Sequence, residues 1–183
     1  WFIEHEATWQ RRYETVLLED RAELYFEGLD FTLTATADRI DRNRETGDLA
    51  IIDYKTGNIP TEKRMHAGYA PQLPLEGVLA QKGAFQAIDA ARIERLLFWL
   101  IKGGAEPGKI EEKIKPADIQ AIIDDAEKGL KALLKAFAEE ATPYLSNPRP
   151  KQTGYGDYDH LARVKEWQSA DNEDGNEGGR DGV

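Results

Sequence analysis

Ala35-Thr-Ala-Asp38-Arg-Ile-Asp41-Arg42, then Leu49-Ala-Ile-Ile-Asp53-Tyr-Lys55-Thr-Gly57, then Tyr69-Ala-Pro-Gln72-Leu-Pro-Leu-Glu76: these three runs decide the reading of the chain. Leu49 to Ile52 are apolar without a break between Gly47 and Gly57, the pattern of a short strand buried on both faces. Side chains two apart on a strand share a face, so Asp53 and Lys55 point one way while Ile52 and Tyr54 point the other. Upstream, Phe31 to Asp38 alternates and is rich in threonine, which predicts a second strand. A polar turn over 43–48 folds it back beside the first. That pairing is expected to bring Asp38 near Asp53. Asp41, three residues further along, falls on the opposite face and is read as structural.

Two carboxylates converging at a strand end repel each other unless a cation lies between them. Mg²⁺ takes oxygen ligands, commonly one or two carboxylates with water or substrate phosphate completing its shell. A lysine on the same face can orient or help deprotonate an attacking water and stabilise developing negative charge, while the metal polarises a phosphoryl oxygen. These are the parts needed to hydrolyse a phosphodiester. An isolated D-x-K tripeptide is more often a strand-end ion pair. The order D-x-x-D, turn, apolar strand, D-Y-K-T-G and then Q-L-P-L is far harder to reach by chance.

That order resembles the nuclease domain of the PD-(D/E)xK superfamily in its RecB-like branch, and more narrowly the carboxy-terminal nuclease domain of the AddB family. The resemblance is strongest over 33–80 and extends over about 1–167. It implies a restriction-endonuclease-like α/β fold, a mixed central sheet flanked by helices. It further implies metal ligation by Asp38 and Asp53 with help from the Tyr54 carbonyl, and catalytic roles for Asp38, Asp53, Lys55 and Gln72. The implied cofactor is Mg²⁺ or Mn²⁺. The implied partners are DNA, as a single strand or an unwound duplex end, and a helicase–nuclease subunit of AddA type.

Three departures qualify the likeness. Ala35 stands where glycine usually precedes the first aspartate. Glu76 stands where the glutamine motif commonly ends in tyrosine, and reads as a polar group near DNA or a helix residue facing water. The four cysteines of an iron–sulfur cluster, frequent in AddB-type domains, are missing: the chain has no cysteine, so no cluster is expected. Disulfides, thiolate zinc sites and cysteine nucleophiles are excluded with it.

The 183 residues are one domain's worth. The expected division is a nuclease domain over 1–168 and a disordered acidic tail over 169–183, where five acids face Arg180 alone. The opening Trp1 suggests a piece of a longer protein. The net charge of −10 runs against strong phosphate binding by this chain alone. No apolar run reaches a membrane span, and a cytoplasmic location is expected.

Along the rest of the chain, Trp1 to Arg12 reads as a helix end, Tyr13 to Leu18 and Ala22 to Phe26 as two short strands, and Thr61 to Gly68 as a solvated connection. Lys63 and Arg64 in that connection, and Arg149 and Lys151 later, are weak candidates for DNA contact. His5 is read as a surface histidine. Gln72 to Lys82 is predicted helical with Leu73, Val78 and Leu79 inward, Ile93 to Ile101 as a buried strand, and Pro116 to about Glu140 as the longest helix. The activity expected is exonucleolytic cleavage in double-strand break repair within an AddAB-type helicase–nuclease. The alternatives are a catalytically silent fold that docks DNA ends or subunits, and a stand-alone exonuclease of CRISPR-associated or phage type.

Overall fold

The computed structural model describes residues 1–144. The body formed by Trp1–Ala138 is one compact unit; the expected domain limit at 168, the acidic tail, Arg149 and Lys151 lie outside the described residues. Five strands form one sheet in the order β1 (Tyr13–Phe26), β2 (Phe31–Asn43), β3 (Leu49–Lys55), β4 (Ile93–Ile101) and β5 (Gly108–Glu111). β1–β2, β2–β3 and β4–β5 pair antiparallel and β3–β4 parallel. The sheet is therefore mixed. The parallel step is the crossover carrying helices α2 (Glu62–His66) and α3 (Gln72–Gln81). α1 (Phe2–Trp9) precedes β1, and α4 (Ile119–Ala138) follows β5.

β3 is central, and its apolar run feeds two cores. Leu49 and Ile51 join the larger cluster, with Leu73, Val78 and Leu79 of α3 and Ile119, Ile122 and Ile123 of α4. Ala50 and Ile52 join the smaller one on the other face, with Trp9, Tyr13, Leu97 and Trp99. All four are fully buried. Helices on both faces are what make an unbroken apolar strand possible, and the expected α/β architecture is the one observed.

The details differ from the sequence reading in several places. β1 is one 14-residue strand, not two. The charged stretch Glu19-Asp20-Arg21 interrupts the apolar pattern, but β1 is an edge strand and tolerates it. Residues 61–68 are not a plain connection, since Thr61 caps α2 by accepting from the Arg64 N–H at 3.3 Å, and Met65 is buried. The predicted apolar stripe of the last helix is buried only at Ile119, Ile122 and Ile123, while Leu133 and Phe137 are exposed. No helix among the described residues is long and apolar enough to cross a membrane.

Candidate active site

The site lies where β2 and β3 fork. Their ladder runs from Arg42↔Leu49 to Arg39↔Ile52 and stops there. Carried one step past its end, that register sets Asp38 against Asp53, and the Asp38 charge acts on the Asp53 carboxyl. β3 continues along β4 to Lys55↔Leu100. The Tyr54 N–H, at the point where the β2 partner has been lost, donates instead to Asp38 Oδ2 at 2.9 Å. The first aspartate is thus fastened to the strand that carries the second.

Asp53 is 1 % exposed, and the Lys55 ammonium nitrogen lies 2.9 Å from its Oδ1 and 2.8 Å from its Oδ2. Of these two contacts only that with Oδ1 has hydrogen-bond geometry; Oδ2 is buried without a hydrogen-bond donor among the described residues. Burial raises the Asp53 pKa; Lys55 opposes that, and the Asp38 charge adds to it. Lys55 Nζ also donates to Gln72 Oε1 at 3.3 Å. The Gln72 amide in turn donates from Nε2 to Glu76 Oε1 at 3.1 Å, one turn along α3. Asp38, Asp53, Lys55 and Gln72 are therefore brought together, as the strand register and the helix start dictate.

Glu76 is the residue the sequence reading undervalues. It neither faces water nor lies free: it is 1 % exposed, and its Oε2 has no hydrogen-bond partner among the described residues. Burial pushes its carboxyl up to about 8, with the Asp53 and Asp38 charges adding to the rise and Gln72 and Lys55 opposing it. The available signal was an acid set among Leu73, Pro74, Gly77 and Val78, all buried. A second missed feature is Glu19. It stands opposite Asp38 between the pairs Leu18↔Arg39 and Asp20↔Ala37, with a left-handed φ of 45°. Such a backbone is uncommon for a residue with a side chain. Leu18, Glu19, Asp38 and Tyr54 line a groove of about 480 Å³.

On the opposite face a buried ionic network supports the fork. Arg39 donates to Asp41 Oδ1 at 2.7 Å and Oδ2 at 2.6 Å, to Glu6 Oε2 at 2.7 Å and to the Tyr54 hydroxyl at 3.2 Å. Trp9 Nε1 also donates to Asp41. Burial alone would lower the Arg39 pKa, but its bonds to Asp41 and Glu6 raise it. Asp41 is thus a structural partner of Arg39, tying α1 to the sheet beneath Tyr54.

The remaining candidates stand apart from this cluster. Lys63 and Arg64 are exposed on α2, with the Arg64 guanidinium over the Tyr69 ring. His5 lies tilted against the Trp1 ring and shares a hydrogen bond with its carbonyl. Glu14 pairs with Arg44.

The donor set is oxygen only and hard. Among the described residues no three of His, Asp and Glu converge into a full set of metal ligands. Asp38 and Asp53 with an under-satisfied Oδ2 fit a cation that takes few carboxylates and fills its shell with water and phosphate, as Mg²⁺ does.

A family model described as the PD-(D/E)XK nuclease superfamily matches residues 2–155. An uncharacterized protein of Rickettsia conorii is 31 % identical over 86 residues, 46 % of this chain and 10 % of that one. An uncharacterized protein of Rickettsia typhi is 30 % identical over 95 residues, 51 % of this chain and 11 % of that one. The chain thus spans about a tenth of the length of these relatives. The crystal structure of SSO0001 aligns with a TM-score of 0.34 at 19 % identity, over 78 % of this chain and 68 % of that one, a likeness too distant to carry an argument.

Proposed function

The chain belongs to the PD-(D/E)XK nuclease superfamily, and from that premise we propose that it is a divalent-metal-dependent deoxyribonuclease whose centre is Asp38, Asp53 and Lys55. The observation that carries the reading is the fork itself: two opposed aspartates, one with a buried carboxylate oxygen lacking a donor, and an ammonium held beside them.

When bound, a divalent cation supplies Lewis acidity to the scissile phosphate and the attacking water. Asp38 and Asp53 would hold it, with the Tyr54 carbonyl assisting. Lys55 is pinned between Asp53 and Gln72. It orients the water and offsets charge building on the phosphoryl oxygens. The water oxygen forms a bond to phosphorus, the bond from phosphorus to the leaving sugar oxygen breaks, and the proton lost by the water is balanced by one taken up by the leaving oxygen. Preorganised charge of this kind stabilises the transition state without rearranging at the moment of reaction.

The wider role is exonucleolytic trimming of a single strand or an unwound duplex end during double-strand break repair, next to a helicase–nuclease partner of AddA type. Two things support it: the AddB-like order of the three motifs, and the small share of its long relatives that this chain represents. The test is release of nucleotides from an end-labelled linear single strand in Mg²⁺ and in Mn²⁺, with a covalently closed circular strand as control. The exonuclease reading expects the linear strand alone to be degraded. Equal cleavage of the circle makes the activity endonucleolytic. Cleavage of neither, in the full-length protein with its partner, leaves a DNA-end or subunit-docking module.

A further inference from the structure

A buried carboxyl beside two other carboxylates is costly, and local rules are broken in this way mostly where function needs it. Glu76 is such a residue. It sits four positions after Gln72 on α3, the spacing at which helix side chains meet, and its Oε1 accepts from Gln72 Nε2 at 3.1 Å. A carboxamide has one donating end and one accepting end, and a lysine ammonium can only donate. With an acceptor fixed at position 76, the amino end of Gln72 is occupied and its oxygen must face Lys55 Nζ, where it lies at 3.3 Å. Gln72 is otherwise exposed and its amide also acts as a donor toward Asp53; Glu76 is the second acceptor on that amino end, and without it the side chain is freer to turn the amino end toward the lysine.

We propose that Glu76 is a positioning residue, whose buried carboxyl pins the Gln72 carboxamide so that its oxygen receives the Lys55 ammonium and fixes that lysine beside Asp53. The catalytic consequence rests on the nuclease reading above; the pinning does not. Glu76 acts through Gln72, and Lys55 is held from two sides by acceptors on different elements, β3 and α3. An acceptor of another kind at position 76 serves the same purpose, and an apolar side chain does not.

The experiment uses the whole chain with Glu76→Gln, Glu76→Leu, Gln72→Leu and the double variant Glu76→Leu/Gln72→Leu; Glu76→Met replaces Glu76→Leu should that fold poorly. The first readout is the Gln72 side-chain amide by NMR. Its protons are expected to exchange slowly in the wild type and in Glu76→Gln, and rapidly in Glu76→Leu. The second is cleavage of single-stranded DNA in Mg²⁺. Glu76→Leu is expected to lower kcat by about tenfold, the worth of one well-placed hydrogen bond, with KM nearly unchanged. Glu76→Gln should recover most of that loss, and the double variant should be no slower than Gln72→Leu alone, because two residues acting as one unit do not add.

The proposal is overturned if the Gln72 amide behaves alike in wild type and Glu76→Leu, or if the two single losses multiply in the double variant. A wild type that cuts nothing with Mg²⁺ or Mn²⁺, in the full-length protein with its partner, sinks the nuclease reading, while the amide contrast in this chain still decides the pinning.

Discussion

Replacing Glu76 by glutamine should remove a pH dependence built into the fold. The carboxyl of Glu76 is pushed from its usual 4.5 to about 8, chiefly by burial, with the charges of Asp53 and Asp38 adding to the effect. The folded chain therefore holds this proton over a range where the unfolded chain has released it. Stability falls as pH rises whenever the folded state binds more protons. The loss begins near pH 4.5 and is complete a little above pH 8. At ~1.4 kcal/mol for each pH unit, the whole span is worth on the order of 5 kcal/mol. Glutamine at position 76 is neutral throughout and retains an acceptor for Gln72, so it contributes no such slope. For a domain of this size one kcal/mol moves Tm by roughly 3 °C. Thermal unfolding followed by circular dichroism, in metal-free buffers from pH 5 to pH 8.5, should show the variant's Tm pulling ahead of the wild type's by about 10–15 °C across the range. Titrating groups remote from Glu76 are common to both proteins and cancel in the difference. Parallel Tm curves over the whole range would refute the argument.

Three further outcomes follow from other parts of the molecule. With Mg²⁺ at tenfold its dissociation constant, the wild type should gain about 1.4 kcal/mol and melt roughly 3–5 °C higher, a shift that Asp38→Ala and Asp53→Ala should lack. Arg39→Met strips the guanidinium from Asp41, which is 0 % exposed, and from Glu6, leaving a buried carboxylate uncompensated. It should cost about 3–5 kcal/mol in urea unfolding. Gly108→Ala would place a Cβ 2.5 Å from the Leu100 carbonyl oxygen, forcing β5 away from β4. It should cost about 1–3 kcal/mol, with faster hydrogen exchange confined to 100–111.

The centre of this fold is legible in the sequence because its signals are local. Leu49 to Ile52 has no polar residue to give either face to solvent, so a strand covered on both sides follows directly. The turn around Gly47, whose φ is 77°, leaves little freedom in how β2 returns along β3. That Asp38 comes near Asp53 follows from the turn, while the register that sets them together is given by the fold. Elements defined by distant packing are not legible in this way. α2 has five residues, too few to show a helical period. β5 has four, two of them charged, and among the described strands pairs with β4 alone. β1 reads as two strands because its charged middle looks like a turn when its edge position is unknown. The burial of Glu76 brings it to Asp53 and Asp38 on other elements, which the pattern of its own helix cannot show; at Gly77 beside it, a Cβ would lie 2.7 Å from the Ile123 side chain of α4, more than forty residues away. The Arg39 network joins residues 6, 39, 41 and 54, and only the fold shows that their faces meet.

The measurement that tests the central claim most directly is Mg²⁺-dependent cleavage of single-stranded DNA by wild type, Asp53→Ala and Lys55→Ala, each first confirmed to unfold cooperatively. The wild type should cut, and both variants should fall by about a hundredfold or more, as expected when the group holding a catalytic metal or positioning the water is removed. Folded Asp53→Ala and Lys55→Ala proteins that cut at the wild-type rate would contradict that claim.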